Sequence, residues 1–247
     1  MKQLGKVILF ILICTSKLLF AQSPSNIDGK VLLRNEQSYF GLIHGLGWGA
    51  GFRYGNNIST WEKRMYEVSF FTLKHPKEVK MVNSLLFMNA KSYVYGKKNF
   101  FFLIETSIGK QKILNEKPYW GGVEVRSFYS IGPVLGFTKP VYLYIFDFSG
   151  TSISQRLEKY NPELHFYDNI YGRGPFMKGI DEIKLHPGLH FKLGLNIEHG
   201  TNDETVNSIE AGAMLNVFLK PVEIMGFTQN DFLFINLYIQ YHLGKRF

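Results

Sequence analysis

The chain has 247 residues, 45% hydrophobic and 19% charged, the balance of a single folded domain. Aromatic residues reach 16% and glycine contributes 24 positions, a composition that favours strands and membrane interfaces over helix-rich folds. The net charge of +8 is dispersed, which excludes the clustered basic stripe of a nucleic-acid binder; the densest run, Lys74 to Lys80 (KHPKEVK), reads as a solvated turn.

The N-terminus has the pattern of an export signal. Lys2 and Lys6 precede an apolar stretch, Val7 to Ser16, that is well short of the roughly 20 residues a membrane-spanning helix needs. Lys17 interrupts the pattern. Cleavage is expected after Ala21, giving a signal over 1–21 and a mature domain over 22–247, although Leu19 is larger than the small residue preferred there. The alternatives are an uncleaved anchor, or a lipoprotein acylated at Cys14, for which the preceding Ile13 is bulky. Removing the signal takes away the only cysteine, and with it disulfides and thiolate metal sites. It also takes three lysines, leaving 25 basic residues against 20 acids, a net charge of +5. Beyond residue 21 no apolar run is long enough for a transmembrane helix, so an exported chain of this kind crosses a membrane only as a closed barrel.

Eight strands are expected, over 38–55, 60–73, 85–96, 99–113, 121–137, 184–198, 205–219 and 230–246. The first has Gly41, Gly45, Gly47, Gly49, Gly51 and Gly55 on one face with Arg53, and Phe40, Leu42, Leu46, Trp48, Phe52 and Tyr54 on the other. In the second, Tyr66, Val68 and Phe70 oppose Glu67 and Ser69. In the fourth, Phe100, Phe102, Ile104 and Ile108 oppose Glu105, Ser107, Gly109 and Gln111. In the sixth, Leu189, Phe191, Leu193, Leu195 and Ile197 oppose His190, Lys192, Gly194, Asn196 and Glu198. In the seventh, Ile209, Ala211, Ala213, Leu215 and Val217 oppose Ser208, Glu210, Gly212, Met214 and Asn216. The last is the clearest: Leu233, Ile235, Leu237, Ile239, Tyr241 and Leu243 form one unbroken apolar face. A soluble β-sandwich also alternates, but its strands run about 5–6 residues, and its faces do not carry charge at mid-strand.

The expected fold is therefore all-β, a closed antiparallel transmembrane barrel of eight strands, with ten as the alternative. Bacterial barrels have even strand numbers. Val141 to Phe148 is accordingly assigned to an extension within one long extracellular loop, 138–183, which also holds the ordered-looking Asp168 to Glu182. The chain ends in Phe247 on an alternating strand, a feature that resembles the signal read by the barrel-assembly machinery, although Lys245 stands where an apolar residue is usual.

Several stretches resemble an uncharacterised family of outer-membrane β-barrel proteins from Bacteroidota: Trp48 to Tyr54 with Gly55, Lys74 to Glu78, Ala90 to Lys97, Gly121 to Pro140 and Asp168 to Gly179. The resemblance implies a fold and a Gram-negative outer-membrane location. It carries no reaction or catalytic residue with it.

Candidate chemistry lies on two surfaces. Inward faces hold Arg53, Glu67, Glu105, Glu124, Arg126, Lys192, Glu198 and Glu210, which are expected to form a polar lumen network in a narrow barrel. The loop over 150–182 carries Arg156, Tyr160, Tyr167, Tyr171, Arg173 and Phe176, the residue types of interface hot spots, and is a candidate partner-docking loop. His186 and His190, four apart on a strand, are about 13 Å from each other, too far to share an ion. No hydrolase, zincin or phosphate-loop motif occurs, and Gly45 to Gly51 superficially matches a dinucleotide motif but lies in a strand. The reading is a non-enzymatic structural or accessory component of a cell-envelope assembly, with no cofactor or metal. Its expected partners are outer-membrane lipid, lipopolysaccharide, the barrel-assembly machinery during biogenesis and another outer-membrane protein. The alternatives are a lipid-modifying barrel enzyme, for which a Ser–His pair at the lipid rim is the sign, and a small passive channel.

Overall fold

Alternating residues pair most strongly when every strand has two neighbours, and this chain reaches that state by closing on itself. The computed structural model describes residues 35–83, 91–117, 122–147, 154–200 and 204–247. The expected signal over 1–21 and its cleavage site lie outside them. In chain order the strands are β1 (Asn35–His44), β2 (Gly47–Asn57), β3 (Glu62–Leu73), β4 (Lys80–Met81), β5 (Tyr93–Val94), β6 (Asn99–Asn115) and β7 (Glu124–Pro140). There follow β8 (Tyr142–Asp147), β9 (Ser154–Lys159), β10 (Ile170–Arg173), β11 (Lys184–Glu198), β12 (Thr205–Val222) and β13 (Asp231–Arg246).

Eight of these form a closed barrel in the order β1-β13-β12-β11-β7-β6-β3-β2. Every junction is antiparallel, and β1 closes the ring by pairing both β2 and β13. Closure leaves no edge strand with unpaired backbone groups. The connections between β3 and β6 and between β7 and β11 lie at one end, here the loop end. The first and last strands begin and finish at the other.

The outward face is apolar, and the buried charged and polar side chains of the strands point inward, the reverse of a soluble protein. Along β13, Leu237 and Ile239 are 76% and 61% exposed, while their neighbours Tyr238 and Gln240 are 2% and 0% exposed. That distribution rules out the β-sandwich, whose apolar face would be the hidden one, and makes the barrel transmembrane.

Two strand assignments differ from the sequence reading, and the differences cancel in the count. The predicted element 38–55 is a hairpin, split by a two-residue turn at Gly45 and Leu46. The turn swaps parity: Leu42 faces Gly49 inside, and Ile43 faces Trp48 outside. Phe40 and Leu42 are therefore buried in the lumen, whereas Trp48 on the predicted aromatic face points to lipid. The predicted strand 85–96 is not one of the eight barrel strands, and its residues 85–90 lie outside the described ones. Within its described part only Tyr93 and Val94 are extended, pairing Lys80 and Met81 beyond the barrel. The loop assignment of 141–148 agrees with β8, which joins β9 and β10 in a separate three-stranded sheet.

Gly51 on the inward face of β2 makes room for one ring. A Cβ on Gly51 would sit 2.4 Å from Phe40 Cζ, its cross-strand partner on β1. Phe40 thus occupies the space over Gly51, and the site below is built around its ring. Towards the loop end the lumen is filled by Phe71, Phe101, Phe218 and Phe234 with Leu73, Leu103 and Val222. The rings of Phe101 and Phe218 meet edge-on with centroids 5.4 Å apart.

Candidate functional site

Three layers of polar side chains occupy the lumen below that apolar plug. The central layer joins four charges from four strands. Arg53 on β2 grips Glu67 of β3 through Nε at 2.9 Å and Nη2 at 2.6 Å. Across the lumen it grips Glu210 of β12 at 2.6 and 3.0 Å. Lys192 of β11 donates to the second oxygen of Glu67 at 2.5 Å. Tyr238 donates its phenol to Glu210 at 3.0 Å, and Asn196 reaches the same carboxylate at 3.4 Å. Both cations also lie over the Phe40 ring, Arg53 at 5.9 Å and Lys192 at 5.8 Å. Two acids and two bases thus balance in a space closed to water, which buried charges require.

Nearer the termini, Glu36 accepts from Lys63 at 2.5 Å and from Arg246 at 3.1 Å. Arg126 donates to Glu124 on its own strand and lies 3.3 Å from Glu198, which also accepts from Arg246. On the loop side of the centre, Ser69 donates to Glu105 at 3.2 Å. His190 Nδ1 hydrogen-bonds Asn216 Oδ1 at 2.8 Å and has a Glu105 oxygen at the same distance. All eight residues singled out in the sequence therefore face the lumen, in separate layers. Glu36, Lys63, Tyr238, His242 and Arg246 were missed. Glu36 and Lys63 sit on strand ends where the alternation is short, and Arg246 follows the Lys245 that broke the terminal pattern.

A Ser–His contact does occur, Ser38 Oγ with His242 Nδ1 at 3.4 Å, and His242 Nε2 is 3.6 Å from Glu210. All three are at most 2% exposed in the lumen. This is not a rim site that a lipid could enter. With charged layers and an aromatic plug in series, planar-bilayer recordings of the purified protein should show no discrete conductance steps. Reproducible unitary steps would mean that the layers part and that the lumen is a channel.

At the loop end the connections fold into a cap. Tyr93, Val141, Leu143, Ile145, Tyr160 and Ile170 form its own small core. Asn83 donates to the carbonyls of Tyr167 and Ile170 at 3.3 and 3.1 Å, and Gly96 N–H donates to Tyr160 Oη at 3.2 Å. Burial pushes the phenols of Tyr93 and Tyr160 up to about 12, with neighbouring tyrosines adding to the effect. Tyr160, predicted as a docking residue, is 3% exposed and belongs to this core instead. Tyr171 packs edge-on against Phe146 at 5.4 Å, and Tyr167 lies in the turn before β10. Arg156 is on β9 opposite Ile145. Arg173 and Phe176 border a cleft of about 420 Å³ at the foot of the cap, with Lys91, Phe100, Lys139, Tyr142 and Tyr144 also lining it.

No family model matches the sequence, and no curated protein matches it. Among solved structures the chain is similar to Ail, the attachment invasion locus protein of Yersinia pestis, at 10% identity and a TM-score of 0.41, over 87% of this chain and 97% of that one. A second structure of Ail contains the heparin analogue sucrose octasulfate. Neisserial surface protein A aligns at 10% identity and a TM-score of 0.37, over 87% and 95% of the two chains. The N-terminal β-barrel domain of Pseudomonas aeruginosa OprF aligns at 10% and 0.33, over 84% and 96%. These likenesses are weak; the barrel itself rests on the strand pairing above.

Proposed function

We propose that the protein is an outer-membrane component of a Gram-negative, Bacteroidota-type envelope assembly, in which the barrel is a closed anchor and the cap the working surface. The observation that carries this reading is the filled lumen: Lys192, Glu210 and Gln240 at its centre are 0% exposed. A barrel sealed in this way offers partners only its ends and its lipid face. The two long connections converge at one end and have a core of their own, which supports placing that end outside the cell and the termini in the periplasm. Exposed Leu164, Phe166, Met177 and Phe227 on the cap supply apolar contact area for another outer-membrane protein.

The test uses the register of the barrel. Thr138 and Lys184 are already paired across β7 and β11, so a short turn can replace 141–183 without moving either strand. The shortened protein should still change gel mobility on boiling, as a folded barrel does, and should lose co-purifying envelope proteins. Unchanged co-purification would remove the cap from the interface.

A further inference from the structure

The cleft beside Lys139 lies on the outside of the barrel. In β6 and β7 the inward residues are Phe101 and Thr138, so Phe100 and Lys139 between or beside them face outward, at the loop end of the lipid belt. An aromatic ladder climbs to it from that belt. Phe70 stacks on Phe102 with centroids 6.1 Å apart, Phe102 on Phe100 at 6.4 Å, and Phe100 meets Phe176 edge-on at 5.4 Å. Residues 174–176 fold back over β7 because Gly174 has no side chain: a Cβ there would lie 2.8 Å from the Tyr142 carbonyl oxygen.

The floor of the cleft is a buried cation without an acid. Lys139, 3% exposed, donates to the carbonyls of Phe176 and Lys178. Its ammonium also lies 4.2 Å from the Phe176 ring centroid and 5.1 Å from that of Phe100. Lys91 and Arg173 line the same space. Among the described residues none of the three has a carboxylate partner, whereas the central lumen cations Arg53 and Lys192 both do. Glu182, which accepts from the Tyr142 phenol, is itself held by Lys159 at 2.5 Å. Its charge is thus already balanced.

We infer that this cleft holds the phosphorylated sugar headgroup of an anionic glycolipid, seated where the apolar belt gives way to the cap. Three unpaired cations suit a phosphate, Arg173 with a fork and the lysines as point charges. The faces of Phe100, Tyr142, Tyr144 and Phe176 suit the C–H face of a pyranose, and the phenols its hydroxyls. The volume of about 420 Å³ falls in the range of small-molecule sites. The lipid's chains then lie along Phe102 and Phe70. The inference rests on the outer-membrane reading only for the natural source of the lipid, because binding itself is measured in purified protein.

The experiment is native mass spectrometry of the full chain in detergent, with deep-rough lipopolysaccharide and phosphatidylglycerol offered in competition. The lipopolysaccharide should be retained about tenfold better than phosphatidylglycerol. Arg173→Gln with Lys91→Gln should reduce that retention by about tenfold or more, the loss expected for a charge-assisted contact, with heat modifiability unchanged. Lys220→Gln, a loss of one cation at an exposed site on β12, should leave it unaltered. Equal retention of the two lipids would overturn the sugar, and equal loss in Lys220→Gln would overturn the cleft. Failure of the loop replacement to release partners would leave this site untouched, so the two readings fail separately.

Discussion

Replacing Glu210 with glutamine should lower the unfolding free energy of the barrel in lipid by about 3–5 kcal/mol, the cost of stranding a buried charge. The shape of the side chain is nearly conserved and one oxygen still accepts from Tyr238, whereas the oxygen that accepts from Asn196 and Arg53 Nη1 becomes an amide nitrogen. The charge count changes with it. Arg53 and Lys192 are left facing Glu67 alone, two cations on one anion in a space where all three are at most 4% exposed. Arg53→Met added to Glu210→Gln removes the surplus cation and leaves the Glu67–Lys192 pair at 2.5 Å. The double variant should therefore be more stable than Glu210→Gln alone, in spite of carrying one change more. Urea unfolding of these two variants and of Arg53→Met alone, in vesicles, closes the cycle. Additive losses would show that the lumen admits enough water to screen the charges, which would also reopen the channel reading.

The same network shows how far the sequence could be read. That Arg53, Glu67, Lys192 and Glu210 face inward follows from period-two alternation, which needs only each strand's own residues. Which of them meet does not follow. Arg53 and Glu210 are 157 residues apart, and they come together only because β1 and β13 close the ring and set every strand's stagger. The β1–β2 hairpin was hidden for a different reason. Its turn, Gly45 and Leu46, lacks the usual Asn-Gly or Asp-Gly signature, and glycines at odd positions continue on both sides of it, so alternation seemed unbroken through a reversal of the chain. The cleft was out of reach altogether. Lys91, Lys139 and Arg173 come from three separate segments, and Lys139 falls within 138–183, the stretch assigned to the long loop. Its lack of an acidic partner is a property of the assembled cap, not of its neighbours in sequence.

An arginine scan along the outside of β13 should give a gradient with depth. Leu237→Arg, at a position 76% exposed and paired with Ala213 near the middle of β12, should destabilise the barrel by about 2–4 kcal/mol. Leu243→Arg, six residues towards the terminal end, should cost about 0–1 kcal/mol, since its guanidinium reaches the interface. The wild-type chain already places Lys245 on that face one step further, which fixes where the belt ends. Neither substitution touches the lumen, because both side chains point away from Tyr238 and His242. Equilibrium unfolding in vesicles separates lipid from water as the surroundings of this face. In a water-soluble protein both arginines would be solvated and both costs would be close to zero, and the exposed ladder of Leu233, Ile235, Leu237 and Ile239 would be a liability to aggregation. In a membrane it is the surface that holds the barrel in place, and the cost of a charge should fall steadily as the position approaches Lys245.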